Sequence, residues 1–468
     1  MKKREAIILC SILVLLLIVS AGMAILVGRT GKQANKAEAN ETTDMKTFAD
    51  WTEHAALSQV PALIVEGSKM GEAFDVGAGN ALIDVERTTL EDYTSYLKLL
   101  EKTGYKKLVD NGESGIAESV YASTYTKDKL AVNVTHIVAT GKTYISAGEN
   151  QVFSPNLFYD DSYIANNIDS AKTKLHLFEL TGQANCLIVQ LKNGHFIVSD
   201  TGQRLDVPYL LDYLEKLAPQ GQKPVIEALF FTHSHGDHAS FMDYLTVFPE
   251  AANRVVVEGV YFNEPGKTAV DQDPTNRSVI QNIKLTTSLL RTSKGEKTQL
   301  YRPQTGQRYY FNDVVIEIVM GQEQIFPSSY FTDLNESSTV SMLNIDGQKV
   351  LLPGDSGAGL LRGIMAAYEN ARGYFEMNVM VAYHHTFDTW STFTDFCKMD
   401  TILVTRHEAY ESAINKHFLE AAKEHYAYGK GTVVLTFPYH VGEAKTNAPI
   451  ERIYTTADVY PAVEETVN

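Results

Sequence analysis

The amino-acid sequence predicts an α/β fold in which short buried strands alternate with helices. Apolar runs such as Ala228–Phe231 and Thr401–Val404 have the length and character of buried strands. The segment Val207–Leu217, which lies between two such runs, repeats its apolar residues at helical spacing. Titratable residues follow several of the runs directly, so the candidate site residues lie at strand ends.

The composition indicates a globular protein with more than one structural unit. A chain of 468 residues is too long for one ordinary core, so we expect two or three units. Contents of 44% hydrophobic and 21% charged residues are typical of globular proteins. The formal net charge of −16 argues against a basic face, so long nucleic acid is a less favoured partner. An anionic substrate is still allowed, because a bound metal ion can dominate the local field.

Residues 1–28 predict a transmembrane anchor or a signal peptide. Ala6–Val27 carries no charge, follows Lys2, Lys3 and Arg4, and is long enough to span a bilayer. The small residues around Gly22-Met23-Ala24 would suit a cleavage site, but the length favours an uncleaved anchor. We therefore expect a single-pass cell-membrane protein with its main domains extracytoplasmic, or a secreted protein if the leader is cleaved. Residues 29–47 are polar, without a hydrophobic period, and predict a flexible linker.

Residues 48–150 predict a small α+β accessory domain. Thr88 and Glu91 are spaced as a capping box before a helix with one apolar face. The runs 118–126, 130–139 and 142–147 predict an antiparallel meander packed on that helix. His136 has no clustered partner, so we expect a packed histidine and not a ligand. Residues 151–172 are irregular and are interpreted as a connection to a larger domain.

The larger domain is predicted over residues 173–445, followed by a C-terminal tail at 446–468. Its first candidate site residue is Asp200, which ends the strand His195–Ser199. This carboxylate either orients a metal-binding histidine or bonds to the backbone of its own turn, and the residues alone leave both readings open.

The strongest signal in the chain is Thr-His-Ser-His-Gly-Asp-His at 232–238, directly after the strand Ala228–Phe231. Three imidazoles and a carboxylate are costly to bury unless a positive group holds them together. They are also the ligands that Zn²⁺ takes, and Gly236 lets the backbone turn tightly between them. A polar loop in which Asp237 caps the next helix is the alternative, but the spacing favours metal binding through His233, His235, Asp237 and His238.

Three later strand ends carry further candidates. Asp355 follows the strand Lys349–Leu352 and the turn Pro353-Gly354. His384 and His385 follow the strand Met377–Ala382, and adjacent side chains of an extended chain point to opposite sides, so we expect only one of the two as a ligand. His407 follows Thr401–Val404, which by itself is weaker evidence.

With these residues in order, the region from Lys174 to His440 resembles the metallo-β-lactamase superfamily. The matching motifs are an early Asp200, the 232–238 motif, Gly354-Asp355 and a late histidine. Asn335-Glu-Ser-Ser and Leu352-Pro-Gly-Asp355, followed by His384-His385, resemble one branch most. That branch contains the extracellular hydrolase domain of DNA-uptake competence proteins and the choline-phosphate esterases of Gram-positive cell walls.

The resemblance implies a four-layer αββα sandwich, here preceded by the transmembrane helix and the small α+β domain. It implies that His233 and His235 bind one metal, that Asp237 and His238 bind a second, and that Asp355 bridges the two. A late histidine would complete the second site, for which we favour His384 or His385 over His407. Asp200 and Asn335 would support the ligands. The implied cofactor is Zn²⁺, as one or two ions, with Mn²⁺ as the alternative.

The resemblance also implies a hydrolase of phosphoester or phosphodiester bonds that uses a metal-activated water, with Asp237 orienting that water and acting as its base. A small molecule or a cell-envelope polymer is the expected substrate.

One departure from the family pattern is that no histidine occurs between His238 and His384, so the middle histidine ligand is missing. Asn335, Glu336, a water or nothing would stand in its place. We therefore expect a lopsided site whose surest ligands all lie in the 232–238 loop. The gap supports an alternative, a degenerate fold that binds a ligand or partner without turnover.

Overall fold

The computed structural model describes residues 51, 54–158, 171–325, 333–387, 391–407 and 412–460. The predicted anchor or signal peptide at 1–28 and the linker at 29–47 lie outside these residues, as do parts of the predicted connection and tail. A search of the described part of the chain finds no helix that is both long and apolar enough to cross a membrane. Residues 48–468 form one compact unit, so the predicted boundary near residue 150 stays a prediction.

An antiparallel six-stranded sheet is formed by residues 69–149. Its strands, in the spatial order β1-β2-β6-β5-β4-β3, are β1 (Lys69–Asp75), β2 (Asn80–Glu86), β3 (Lys106–Asp110), β4 (Val120–Lys127), β5 (Leu130–Ile137) and β6 (Lys142–Glu149). The predicted meander is confirmed as β4–β5–β6, and the structure adds three strands to it. His136 is buried, and its Nδ1 lies 3.0 Å from Thr143 Oγ1, as expected of a packed histidine.

The helix of this region, α1 (Leu90–Lys102), begins one residue later than the predicted capping box implied. Its N-cap is Thr89, whose side chain accepts from the Asp92 backbone N–H while the Asp92 carboxylate accepts from the Thr89 N–H. Thr88 does not cap the helix, because its buried hydroxyl is hydrogen-bonded to Thr143 Oγ1 at 2.8 Å. Thr88 with Glu91 and Thr89 with Asp92 both have the spacing of a capping box. The contact of Thr88 with the sheet leaves Thr89 as the N-cap.

The six-stranded sheet is covered on both faces. Ala73 and Ile83 pack with α1 in one apolar cluster, whereas Phe74 and Leu82 belong to the core of the rest of the chain. Adjacent residues of a strand point to opposite faces, so consecutive positions of β1 and β2 serve two different cores. The region 69–149 is therefore packed into the remainder of the molecule.

Two further sheets and eight more described helices follow in the chain. The nine-stranded sheet contains β7 (Lys174–Leu177), β8 (Leu187–Gln190), β9 (Phe196–Ser199), β10 (Val225–Phe231), β11 (Val256–Val257), β12 (Gly259–Phe262), β13 (Gln299–Tyr301), β21 (Val433–Thr436) and β22 (Lys445–Thr446). The seven-stranded sheet contains β14 (Arg308–Phe311), β15 (Val314–Met320), β16 (Val340–Ile345), β17 (Gln348–Leu352), β18 (Glu376–Val381), β19 (Lys398–His407) and β20 (Glu424–Tyr428). The helices are α2 (Val207–Leu217), α3 (Gly236–Val247), α4 (Lys267–Gln272), α5 (Arg277–Thr287), α6 (Ala358–Ala367), α7 (Thr392–Phe396), α8 (Lys416–Glu420) and α9 (Thr456–Val459).

The two larger sheets pack face to face, because one small cavity is lined by Val189 and Phe230 of the first sheet and by Ile316 and Leu343 of the second. Helix α5 contacts β13 and helix α6 contacts β15, so each sheet also carries a helix. The mixed α/β architecture with several sheets is as predicted. The complete order of four layers stays a prediction.

Parallel pairing brings the candidate site residues to common sheet edges. In the first sheet β9, β10 and β12 run parallel, with Phe231 opposite Phe262. In the second sheet β17, β18 and β19 run parallel, with Val381 opposite Leu403. The loops that leave the carboxyl ends of these strands therefore start side by side.

One prediction for the C-terminal part is wrong. The helical spacing of Ile414, Phe418 and Ala421 in the sequence predicts one helix that carries both His417 and His425. In the structure α8 ends at Glu420 and His425 lies on strand β20. The reason is long-range pairing, since β20 runs parallel to β19 with Ile402 opposite His425. Sheet pairing of this kind overrides a local helical spacing.

Gly354, in the turn after β17, makes the close approach between the two sheets possible. Its φ is +59°, and an added Cβ would lie 2.8 Å from Thr232 Cβ. We expect Gly354→Ala to lose stability through both the left-handed backbone and this collision. Gly347→Ala is the matched control, because Gly347 has φ +78° and open space around it. Urea denaturation should show about 1 kcal/mol lost in the control and roughly 1–3 kcal/mol more in Gly354→Ala. Equal losses would contradict the close-approach argument.

Candidate metal centre

The 232–238 motif is divided between a loop and the start of a helix. Strand β10 ends at Phe231, Thr232 to His235 form the loop, and His235 is the N-cap residue of α3. Asp237 and His238 therefore lie in the first turn of α3. A carboxylate is favoured there by the positive end of the helix dipole.

Four side chains from three elements converge next to this turn. Asp237 and His238 come from α3, Asp355 follows β17, and His385 follows β18. One ligand atom from each can be chosen so that all four lie within 4.8 Å of one another. His238 Nε2 and His385 Nε2 lie 3.3 and 3.2 Å from Asp355 Oδ2, and His385 Nε2 lies 3.2 Å from Asp237 Oδ2. We refer to these four residues as the metal cluster.

Hydrogen bonds on the outer nitrogens orient both histidines of the metal cluster. His238 Nδ1 lies 2.8 Å from Asp200 Oδ2, and His385 Nδ1 lies 3.0 Å from the Thr405 carbonyl oxygen. A partner on Nδ1 leaves Nε2 as the nitrogen that faces the cluster. Of the two alternatives left open for Asp200, the contact with a histidine of the cluster is present. Its Oδ1 accepts the backbone N–H of Thr232 at 2.9 Å, a residue that follows the neighbouring strand β10 and does not belong to the turn of Asp200.

The segment that carries His385 has an unusual backbone. His384, His385 and Thr386 have φ of 47°, 47° and 67°, so three consecutive non-glycine residues are left-handed. This turn directs His385 into the metal cluster, whereas His384 Nε2 lies 3.5 Å from Asn335 Nδ2. Only one of the two adjacent histidines joins the cluster. We expected this outcome because adjacent side chains of an extended chain point to opposite sides. In the structure it results from the left-handed turn at His384–Thr386.

His233 and His235 lie beside the metal cluster but outside the group of four. The rings of His233 and His238 are 4.2 Å apart between centroids, and those of His233 and His235 are 4.6 Å apart. His233 is fully buried, and its Nε2 has no hydrogen-bond partner among the described residues. His235 Nε2 lies 2.9 Å from Asp273 Oδ2, a contact that the sequence did not reveal.

The structure removes one candidate for the missing middle ligand. Both carboxylate oxygens of Glu336 accept backbone N–H groups at the start of α6, from Gly359 at 3.0 Å and Leu360 at 2.8 Å. The Oδ1 of Asn335 is buried and has no hydrogen-bond partner in the described part of the chain. Asn335 is therefore better placed than Glu336 to offer a free metal-binding atom.

His407, the third candidate for the late histidine, is outside the group of four, and its ring lies 6.3 Å from that of Tyr428.

The charges of the metal cluster are strongly coupled. Burial lowers the pKa of His385, but the carboxylates of Asp355 and Asp237 outweigh burial and raise this pKa to about 9. Burial likewise opposes the protonated form of His238, while Asp355, Asp200 and Asp237 raise its pKa well above the usual value. Burial raises the pKa of Asp355, but His385 and His238 hold it well below the normal range. Two protonated imidazoles thus face two ionised carboxylates.

This donor set suits a divalent cation. Two imidazole Nε2 atoms and two carboxylates are Zn²⁺ ligands, and a dication can replace the two imidazole protons without changing the total charge. Burial and the neighbouring imidazoles of His238 and His235 also lower the pKa of His233 well below the usual value, so this side chain is a neutral imidazole. Its Nε2 has no hydrogen-bond partner among the described residues. The residues present therefore fit a metal ion.

Comparison with known proteins identifies this region. Residues 180–386 match the family model of the metallo-beta-lactamase superfamily, so this part of the chain is a metallo-beta-lactamase superfamily domain. A solved structure with a similar fold is the metallo-beta-lactamase fold protein YhfI from Bacillus subtilis, at 12% sequence identity and a TM-score of 0.35, covering 56% of this chain and 98% of that chain. No curated protein matches the chain.

Two supporting residues had no signal in the sequence. Asp273 lies in a polar segment after the short helix α4, and nothing in that segment points to His235. Thr405 contributes mainly its backbone carbonyl oxygen, which any residue could supply. Only the parallel pairing of β18 with β19 brings it to His385.

Asp200→Asn tests the orientation of His238. Oδ2 of Asp200 accepts from Asn185 Nδ2, Thr232 Oγ1 and His238 Nδ1, so an amide NH₂ at that position would face donors. We expect Zn²⁺ affinity to fall roughly 10- to 100-fold, as measured by competition with a chelator. Asp206→Asn is the control, because Asp206 is equally buried but accepts from Thr181 and Gln203. Equal affinity losses in the two variants would contradict the proposed orientation.

Metal binding should release protons near neutral pH. The pKa of His385 is raised to about 9 and that of His238 is raised well above its usual value, so both hold protons at pH 7 that a metal must displace. The affinity for Zn²⁺ should therefore rise with pH up to about 9. Titration calorimetry in two buffers of different ionisation enthalpy should detect the release at pH 7, with one proton fewer in His385→Ala. Zn²⁺ binding without any proton release would contradict these protonation states.

Proposed function

We propose that this protein is a metal-dependent hydrolase of phosphoester or phosphodiester bonds that acts outside the cytoplasm. The observation that carries the proposal is the metal cluster, in which four buried or half-buried ligand groups converge within a superfamily domain whose members are generally hydrolases. We further propose Zn²⁺ as the ion, with Mn²⁺ as the alternative, since nitrogen and carboxylate ligands accept either.

A bound divalent cation would supply Lewis acidity, which stabilises negative charge on phosphoryl oxygens and makes water more acidic. His238 and His385 would hold it through Nε2, and Asp355 lies between the two rings. Asp237 has a different place in the cluster. Its side chain is 31% exposed, whereas those of His238, Asp355 and His385 are at most 6% exposed.

This difference in exposure supports Asp237 as the catalytic carboxylate. Burial alone would raise its pKa, but His238 and His385 outweigh burial and hold it low, so the group is ionised at neutral pH. An ionised and accessible carboxylate can orient a water molecule and accept its proton. The other carboxylate of the cluster is enclosed and is better suited to holding the ion.

The proposed location and substrate come from the sequence. The uncharged run Ala6–Val27 supports a single membrane anchor with the domains on the outer side, and a secreted form if the leader is cleaved. A small molecule or a cell-envelope polymer is the substrate class that such an enzyme would meet. The motif resemblance to competence-protein hydrolase domains and to choline-phosphate esterases of Gram-positive cell walls supports phosphoester chemistry.

Binding without turnover is the second candidate function. The missing middle histidine supports it, and Glu336 does not fill that position because both its oxygens are engaged at α6. The metal cluster opposes it, since binding alone would not need an accessible carboxylate beside three buried ligands.

Hydrolysis of bis-p-nitrophenyl phosphate by the full-length chain, purified in detergent, tests the proposal. After chelation and addition of Zn²⁺ or Mn²⁺, we expect turnover that falls at least about 100-fold in His238→Ala, because the metal cluster loses a ligand. His425→Ala is the control, because His425 lies on β20 and outside the metal cluster. This variant should retain activity. A chain that binds metal but hydrolyses neither this diester nor p-nitrophenyl phosphate would favour binding without turnover. A chain that binds neither Zn²⁺ nor Mn²⁺ would rule out the metal-dependent hydrolase.

A further inference from the structure

The turn between β1 and β2 lies against the chain segment that follows β12. Gly77 in this turn has φ +91°, and an added Cβ would collide with the carbonyl oxygen of Glu264. On the other side, an added Cβ at Gly266 would collide with the carbonyl oxygen of Asp75. Two glycines thus allow backbone to pack directly on backbone. Such contact is available only to glycine and leaves little freedom to shift.

Arg302 clamps this contact. Its guanidinium donates to the carbonyl oxygens of Val76 at 2.6 Å, Gly77 at 3.0 Å and Glu264 at 3.2 Å, so it binds both segments at once. Glu323 Oε1 accepts from the same guanidinium at 2.9 Å, and both side chains are at least nine-tenths buried. A buried charge pair that also satisfies backbone carbonyls is costly to disturb, because removing one partner leaves the other unpaired. We refer to the packed glycines and Arg302 as the clasp.

The clasped segment leads to the residue that contacts His235. β12 lies parallel to β10 with Phe262 opposite Phe231, so the segment after β12 starts beside the loop that carries His233 and His235. The segment continues through α4 to Asp273, and Asp273 Oδ2 lies 2.9 Å from His235 Nε2.

Asp273 is itself held in place. Its Oδ1 accepts from Thr275 Oγ1 at 2.6 Å, and both of its oxygens lie within 3.1 Å of Asn276 Nδ2. A fixed carboxylate on Nε2 sets the orientation of the His235 ring and leaves Nδ1 as the nitrogen that can bind a metal.

We propose that the N-terminal sheet is part of the scaffold of the metal centre. The clasp holds residues 264–273 in place, and Asp273 at the end of this segment positions His235 as a metal ligand. This inference rests on the proposed metal-dependent function. It assigns the N-terminal region a supporting role at the site, in addition to any role in binding substrate.

The first test is hydrogen–deuterium exchange of the metal-free full-length chain. Gly77→Ala should increase exchange several-fold in peptides covering 264–276 and 232–240, because the collision with Glu264 opens the clasp. Gly79→Ala is the matched control: Gly79 lies in the same turn, has φ +72° and has no atom near an added Cβ. If both variants exchange alike in these peptides, the clasp does not hold the segment and the inference fails.

The second test measures Zn²⁺ affinity by chelator competition. Asp273→Asn should weaken binding roughly 10- to 100-fold, because the carboxylate that orients the His235 ring is lost. Asp271→Asn is the control, because Asp271 pairs with Lys267 and Arg277 and not with a histidine. Gly77→Ala should weaken binding relative to Gly79→Ala. A folded Asp273→Asn chain that binds Zn²⁺ as tightly as Asp271→Asn would overturn the inference.

The two tests separate this inference from the proposed function. In one outcome the wild-type chain binds Zn²⁺ but hydrolyses no phosphoester, and the paired variants differ as expected. This outcome would contradict the proposed activity and support the scaffold role of the N-terminal sheet. In the other outcome the wild-type chain binds Zn²⁺ and hydrolyses the diester, but the paired variants do not differ. This outcome would contradict only the scaffold inference.

Discussion

The constraint on which this structure depends is the burial of two carboxylates and two imidazoles at one point. Charges of this kind cost several kcal/mol each to bury unless partners compensate them. Here Asp355 and His238 are almost fully enclosed, and each group of the metal cluster stabilises the charged form of its neighbours. Asp200 and Thr405 hold the outer nitrogens of the two rings, so the inner nitrogens are directed at the carboxylates. A cation at this point satisfies the same groups with the same total charge.

Left-handed non-glycine backbone occurs at two places where residues of the site turn into position. Left-handed non-glycine residues cost about 1–3 kcal/mol each and persist only where surrounding contacts enforce them. Such residues occur at Asp200 and at His384–Thr386, each directly beside or within the site. The turn at His384–Thr386 is enforced by Asn415, whose Nδ2 donates to the carbonyl oxygens of Thr386 and Phe387, and by the His384 N–H, which donates to the Gly354 carbonyl oxygen. These contacts hold the left-handed turn that directs His385 into the metal cluster.

What could be predicted from the sequence was local, and what could not depended on pairing between distant segments. Strands such as Lys349–Leu352, observed as Gln348–Leu352, have short-range patterns and were predicted to within one residue. The 232–238 motif identified the metal chemistry because its residue types are close together in the chain. Asp273 reaches His235 only through the packing of the segment after β12, and His425 joins a strand only because β19 is available beside it. The observed capping box begins one residue after the predicted one, because Thr88 is hydrogen-bonded to Thr143, which is distant in the sequence.

The site is lopsided, but not in the way that the motif indicated. Only Asp237 and His238 of the metal cluster come from the 232–238 motif, and the other two ligands lie at the ends of β17 and β18. The side of the site formed by His233 and His235 is outside the group of four, and His233 Nε2 has no hydrogen-bond partner among the described residues. The chain therefore has a complete donor set for one ion and a partial set for a second. A partial set depends more strongly on the exact placement of each remaining ligand, so outer contacts such as that between Asp273 and His235 gain importance where a ligand has been lost.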